Sequence, residues 1–443
     1  MAQFRAKARA VDLLGKGQIA DLPTAISELW KNGYDAYGDE LEAHLYMPGY
    51  LSYNHSIFVL SDDGKGMNHS EVLNNWFVLG TDSKSRRSKD LKGPETLNKT
   101  PRVKMGEKGI GRLAVAYLGH QMLMLTKKKN FPMEAIYFDW RILENYNLFL
   151  EDINIPIRSI EHSNHFQKVF NELKYEFLLN FENDQKENID LWSDQKELME
   201  EIIEETKNLT LPDYIIEDFV TQCLVNPTKS HATTFIIFEP EEQILDLKNY
   251  GKSDESEDIR DDNSVRYTIS SLVGLFNLFK TDKPEHKTSF NIHDENGSHD
   301  LLSYNSFFTP EDFLKADHLI DGNFNNFGEF SGKVRIYDKE INHTYKPIRK
   351  KTEAKYGPFD IKLGYIAGER KESRLKDEMY STFSKKLNLF SGLYIYRDGF
   401  RVLPYGRLDN DFLEFEERRG RSAGYYFFEI GRASCRERVC HRV

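Results

Sequence analysis

Three polar residues in the stretch SELWKNGYDAYGDE, residues 27–40, have the spacing to act together: Glu28, Asn32 and Asp35. Positions i, i+4 and i+7 stack along one face of an α-helix, so two carboxylates and an amide share that face. Ile26, Leu29, Trp30 and Gly33 fall on the other side, which makes the helix a wall with one apolar stripe and one polar stripe. The polar stripe reads either as a solvated surface or as one side of a cleft, and other motifs must decide.

A second motif, SDDGKGM (61–67), follows the apolar run IFVL. A strand ending in Asp62, with Gly64 and Gly66 in a D-x-G-x-G pattern and Met67 after them, brings a carboxylate to a turn where no Cβ obstructs a ligand. Asp62 can there accept a hydrogen bond from an exocyclic amine such as that of adenine, although an Asp-Gly turn is also ordinary hairpin chemistry. The third motif is MGEKGIGRLAVAYLG (105–119), in which Gly106, Gly109 and Gly111 precede a segment of apolar period. Such glycines free backbone N–H groups to face phosphates, and a following helix would add its N-terminal potential. No G-K-[ST] ends this loop, nor does GKG at 15–17 match, so neither is a Walker A loop.

Taken together, in this order, the three motifs resemble those of the GHKL ATPases, the group of gyrase, the heat-shock chaperone, histidine kinases and MutL. Their pattern is an E-x-x-x-N helix, a D-x-G-x-G turn and a G-x-x-G-x-G loop beside a lid. GEKGIGRLA with LGTDSKSRR (79–87) looks most like MORC-like and chaperone-like ATP-binding proteins. The resemblance covers roughly residues 20–140, with the family's later Thr falling on Thr233 in ATTFII. It implies that Glu28 polarises the attacking water, that Asn32 holds Mg²⁺ and that Asp35 orients the site. It implies also that Asp62 reads the adenine amine with Thr233 as a second, water-linked contact, that Gly64 and Gly66 let the base approach beside Met67, and that the backbone around Gly106, Gly109, Ile110 and Gly111 cradles the phosphates of ATP. Lys108 adds charge there or is a solvated lid lysine. Glu28 suits hydrolysis by water better than transfer to a histidine, so an ATPase is preferred, with a histidine kinase as a third reading.

The elements that must position these residues follow from pattern. Helical stretches alternate with β-rich runs such as SIFVLSD (56–62), QMLMLTK (121–127) and TTFIIF (233–238), which predicts an α+β chain with an N-terminal Bergerat-type α/β sandwich. The polar, aperiodic residues 80–109 read as a lid, residues 160–225 as an acidic helical insertion, and GKSDESEDIRDDNS (251–264) as an exposed linker. A first domain is thus expected over 1–265. A second α/β domain over 266–430 follows, with a helix at 270–279, strands at 332–338, 359–368 and 392–404, and a helix within 371–388. GLYIYRDGFRVLPYGR resembles the S5-like transducer domain of GHKL proteins, in which a basic residue reaches the γ-phosphate, and Arg397 and Arg401 are its candidates; an ordinary hairpin turned at Asp398-Gly399 is the alternative. Residues 431–443 carry four arginines and two cysteines without a periodic pattern and read as a non-native tail on a truncated fragment.

Bulk properties narrow the class. A chain of 443 residues is too long for one core, and 30% charged with 39% hydrophobic residues is globular rather than disordered. The net charge of −11 disfavours a generally basic nucleic-acid coat, and three cysteines are too few for a disulfide framework. No apolar run approaches the roughly 20 residues that span a bilayer, which leads to the expectation of a cytoplasmic protein without a membrane partner. The expected activity is slow, Mg-ATP-dependent conformational switching in a chaperone-like ATPase that dimerises on ATP. A nucleotide-binding interaction module without turnover, serving signalling or DNA-associated or defence assemblies, is the alternative. The client, protein or nucleic acid, is not encoded in any motif.

Overall fold

Apolar runs such as IFVLSD and ATTFIIFEP are rich in the branched and aromatic side chains that fit a pleated surface, and they fold as the inner strands of one sheet. The computed structural model describes residues 5–14, 17, 19–78, 93–105, 111–182, 191–250, 263–277, 279, 286–302, 307–347, 357–390, 392–403, 405–406 and 428–435. The chain divides into two units, residues 1–255 with 285–303, and residues 256–284 with 304–443.

The first unit opens with helices α1 (Arg9–Leu14) and α2 (Leu22–Asp35). Its sheet contains β1 (Glu40–Tyr46), β2 (Ile57–Asp62), β3 (Gly119–Lys127), β4 (Met133–Asp139), β5 (Ile157–Ile160), β6 (Ala232–Pro240), β7 (Lys287–Asp294) and β8 (Gly297–Asp300), in the order β5-β4-β3-β6-β2-β1-β7-β8. Every pairing is antiparallel except β1 with β7, which runs parallel from Glu40↔Lys287 to Tyr46↔His293. That pairing carries the first unit beyond the boundary at residue 265 expected from sequence, because a ladder joining strands so far apart leaves no local pattern.

One row of cross-strand partners fixes the geometry that follows: Leu41, Asp62, Thr233, Thr126 and Glu134 stand opposite one another in turn across β1, β2, β6, β3 and β4. Directly opposed residues share a face. Helix α2 lies on that face, since a Cβ on Gly33 would come within 2.7 Å of both Asp62 and Leu41. The acidic block covers the other face. Its helices Phe166–Leu178 and Lys196–Asn208 meet Tyr137 of β4, whose ring is edge-on to Phe177 at 5.3 Å and whose hydroxyl lies 3.1 Å from that of Thr206. Buried Arg141 pins the second of these helices, reaching Asp139 (2.6 Å), Glu201 (3.0 Å) and Glu205 (2.5 Å). Arg141 and Asp139 are buried while Glu201 and Glu205 lie half in solvent, so it is loss of Asp139 that leaves a buried charge unpaired, at a typical cost of about 3–5 kcal/mol.

The second unit has a sheet of β9 (His318–Phe324), β10 (Phe330–Ile336), β11 (Lys339–Tyr345), β12 (Phe359–Ile366), β13 (Gly392–Arg397), β14 (Phe400–Arg401) and β15 (Phe428–Cys435), ordered β11-β10-β9-β12-β15-β13-β14. Phe307, Phe308, Phe383, Leu387, Phe390 and Tyr394 form its core, the last four from or beside helix Asp377–Phe390. Asp398 and Gly399, at φ +53° and +95°, make the two-residue hairpin turn between β13 and β14.

Two expectations differ from what is seen. The helix expected at 270–279 is instead Asn263–Val273; Gly274 follows its end, with the Phe307 ring 3.0 Å from where its Cβ would stand, and Phe276 bridges to Phe400. The text from residue 431 was expected to lie outside the domain, yet β15 runs through residues 431–435, antiparallel to β12 and parallel to β13. Ladder hydrogen bonds come from the backbone, so an aperiodic side-chain text does not prevent them. Residues 436–443 and the expected linker residues 251–262 lie outside the described residues.

Candidate functional site

Helix α2 starts at Asp21, whose side chain accepts from the Thr24 amide (3.0 Å), with Pro23 in the first turn where a missing N–H costs nothing. Ile26, Leu29, Trp30 and Gly33 are buried, as the apolar stripe requires, while Glu28 and Asn32 are half-buried. Asp35 departs from the polar stripe. It is buried, and its Oδ1 accepts from the Met105 amide at 2.7 Å.

At the end of β2 the Asp62 carboxylate accepts from the Gly64 amide (2.9 Å). Burial of the carboxyl group, opposed by that hydrogen bond and reinforced by neighbouring Asp63, pushes its pKa up to about 7. Gly33 lets α2 approach Asp62, and a Cβ on Gly64 would meet Asp62 Oδ1 at 2.6 Å and Ala36 at 2.7 Å. Gly66 is constrained from another strand. At φ +61°, its Cβ would stand 2.0 Å from the Lys127 carbonyl oxygen. The Met67 amide donates to Thr126 Oγ1 (3.0 Å), and the Thr126 and Thr233 hydroxyls lie 3.1 Å apart. Thr233 stands opposite Asp62 in the register of β2 and β6. Thr126 was missed, its one signal being a hydroxyl near the end of an apolar strand. Asp63 was missed too: its Oδ1 accepts from the amides of Asp39 (2.6 Å) and Glu40 (2.9 Å), fixing the turn after α2.

The other end of the site lies about two turns back along α2. Glu28 Oε2 is 3.0 Å from where a Cβ on Gly111 would stand, and Glu28 Oε1 pairs with Lys31 at 2.8 Å. Gly111 begins a seven-residue 3₁₀ helix, Gly111–Tyr117, and β3 follows at Gly119. The macrodipole argument for an anion at this point therefore falls away. Gly106, Lys108, Gly109 and Ile110 lie outside the described residues, as do residues 80–92 of the expected lid.

The described part of the lid, 93–105, is fastened at several points. Arg102 donates to the carbonyl of Gly38 (2.7 Å) and to Asp39 (2.6 Å) and lies over the Tyr34 ring; Lys99 reaches the Tyr37 carbonyl (2.6 Å) and Asp39 (2.7 Å). These cations hold the Asp39 carboxyl below its usual range against the opposing effect of burial. Glu95 pairs with Lys65 (2.8 Å) and Lys128 (3.0 Å), which take its pKa down to about 2.

Residues 20–173 match the family model described as histidine kinase-, DNA gyrase B-, and HSP90-like ATPase. These residues form a GHKL-type ATPase domain. No curated protein matches the chain. Among solved structures, the N-terminal domain of a DNA repair protein aligns over 96% of this chain and 86% of its own at 11% identity, with a TM-score of 0.39, an overlap too loose to bear on fold or function. Thr233 lies beyond the matched residues of the GHKL-type domain, and the sheet register is what places it at the site.

The donors present fit a nucleotide with its metal. Glu28 and Asn32 offer carboxylate and amide oxygens, the hard ligands that Mg²⁺ prefers. Among the described residues no three His, Cys, Asp or Glu side chains converge to hold a metal ion. Arg401, a candidate for reaching the γ-phosphate, is sealed within the second unit: its guanidinium donates to the carbonyls of Ser270 (2.8 Å) and Tyr405 (3.0 Å). Ser270 is in the last turn of helix Asn263–Val273, so Arg401 caps that C-terminus. Arg397 sits 3.8 Å from Asp398. Among the described residues no helix is long and apolar enough to cross a membrane.

Proposed function

We propose that the GHKL-type domain binds Mg-ATP and hydrolyses it slowly, as a conformational switch. The observation that carries this reading is the layout along α2: Asp62 with Thr233 meets the helix at Gly33, while Glu28 faces Gly111 further back. Five residues of helix between Glu28 and Gly33 span about 7.5 Å, which separates a base-reading end from a phosphate end. Asp62 accepts from the adenine amine, the Asn32 amide oxygen holds the metal, and Glu28 takes a proton from the attacking water. Mg²⁺ supplies charge neutralisation at the phosphates. Segment 93–105 fixes the C-terminal end of the helix while this occurs. Dimerisation on ATP, a transducer role for the second unit, a client and a cytoplasmic setting belong to the same proposal.

A second reading has an observation of its own. The ion pair of Lys31 with Glu28 occupies one oxygen of the base, which suits a module that binds ATP and reports it without turnover. Phosphate release by the full chain with Mg-ATP, with and without chelator, separates the two. Magnesium-dependent release supports the switch; tight ATP binding with none supports the module.

A further inference from the structure

The ATP reading leaves open what makes Thr233 select one base, and the buried hydroxyl behind it supplies the answer. Thr126 is 1% exposed. Its oxygen accepts from the Met67 amide at 3.0 Å, lies 3.1 Å from Thr233 Oγ1, and is 3.4 Å from the Ala232 carbonyl oxygen. A hydroxyl has one proton and two lone pairs. With one lone pair of Thr126 taken by Met67, its proton has two acceptors within reach, and hydroxyl bonds weaken as they lengthen beyond about 2.8 Å. Either hydroxyl can donate across the Thr126–Thr233 contact, and we assign the Thr126 proton to Thr233, the nearer of its two acceptors. Thr233 then spends a lone pair on Thr126 and keeps its own proton for whatever enters the site.

Register puts that proton next to Asp62 on the same face of the sheet. We propose that Thr126 is a positioning residue for base specificity: held by Met67, it fixes Thr233 as a donor beside the acceptor Asp62. That pair complements the amine and the adjacent ring nitrogen of a 6-aminopurine. A 6-oxopurine reverses both groups, presenting an acceptor to Asp62 and a donor to Thr233. Removing the Thr126 hydroxyl frees Thr233 to rotate and to accept instead, and the discrimination weakens.

This rests on the ATP reading, and the test separates the two. ATP and ITP are titrated calorimetrically into the full chain at pH 8, for the wild type, Thr126→Val, Thr126→Ser and Thr233→Val. The wild type should prefer ATP by more than about tenfold, the worth of one good hydrogen bond. Thr126→Val and Thr233→Val should each reduce the preference about tenfold, whereas Thr126→Ser, which keeps the hydroxyl, should retain it. An unchanged ratio in Thr126→Val overturns the role of Thr126 while leaving ATP binding intact. A wild type that binds both nucleotides equally overturns it even if the valine variant does not fold, and one that binds neither overturns the ATP reading itself.

Discussion

The C-terminal end of helix α2 and its middle turn around Glu28 are held in opposite ways. Its C-terminal end is tied by Asp35 to Met105, by Gly33 against Asp62, and through Arg102 and Lys99 to Asp39 and the carbonyls of Gly38 and Tyr37. Further back, among the described residues Glu28 pairs with Lys31 alone, beside Gly111. In the ATP reading, the firmly tied end would fix where the base sits, and Glu28 would be the carboxylate whose partner changes. A site that must recognise a constant group and respond to a variable one needs this asymmetry.

The sharpest way to break the comparison is at Glu28. Glu28→Ala should lower phosphate release by roughly 10²–10⁴-fold, the contribution of a general base, with calorimetric ATP affinity little changed. Undiminished turnover would remove Glu28 from the chemistry and make the two regions equivalent.

Asp62→Asn should act on binding instead, weakening ATP by roughly ten- to a hundredfold through loss of a charge-assisted hydrogen bond worth about 1.5–3 kcal/mol. The pH dependence follows from the same group. Its folded pKa of about 7 lies above the ordinary 3.8, so the protonated form is favoured in the ligand-free protein. Stability contributed by that proton is complete below the ordinary value and is lost as pH rises through about 7. ATP needs the carboxylate, so affinity should rise between pH 5.5 and 8 by up to tenfold per unit and level off above. A flat profile in the wild type, or the same slope in Asp62→Asn, would move the titrating group elsewhere.

Arg102→Ala tests the rigid end. Its hydrogen bonds to a charged partner and two carbonyls predict a loss of about 1.5–3 kcal/mol in urea unfolding, and a fall in turnover of less than tenfold. Lys31→Ala should have the smallest effect. Breaking a partly exposed pair changes stability by less than about 1 kcal/mol, and turnover should rise severalfold if Lys31 restrains Glu28. A fall would mean that the lysine positions the base.

Sequence pattern carried the helix, the strand before Asp62 and the glycine turn because each is local: a 3.6-residue period, an apolar run, a D-x-G-x-G spacing. The partner of Asp62 was reached only through a family likeness, and Thr126 not at all, because what joins them is the register of three strands. What constrains Gly66 is the carbonyl of Lys127 on another strand, which no local spacing reveals. Arg102 lay within a polar, aperiodic stretch where nothing distinguished it from the lysines around it. Apolar spacing pointed to a helix after Gly111 but does not reveal that it is a single 3₁₀ segment ended by the next strand.

The parallel pairing of β1 with β7 has a consequence for how the molecule is made. Tyr46 leaves the ribosome long before His293, its partner, and at ordinary elongation rates the intervening chain takes roughly 10–50 s to synthesise. Throughout that interval one side of β1 has no strand to bond with. Its outward groups stand as an open template for any extended chain nearby, and nascent copies on one messenger are the nearest such chains. A pause in translation between codons 46 and 287 should therefore favour aggregation, while expression of residues 1–255 alone should give a protein whose sheet ends at an unsealed border.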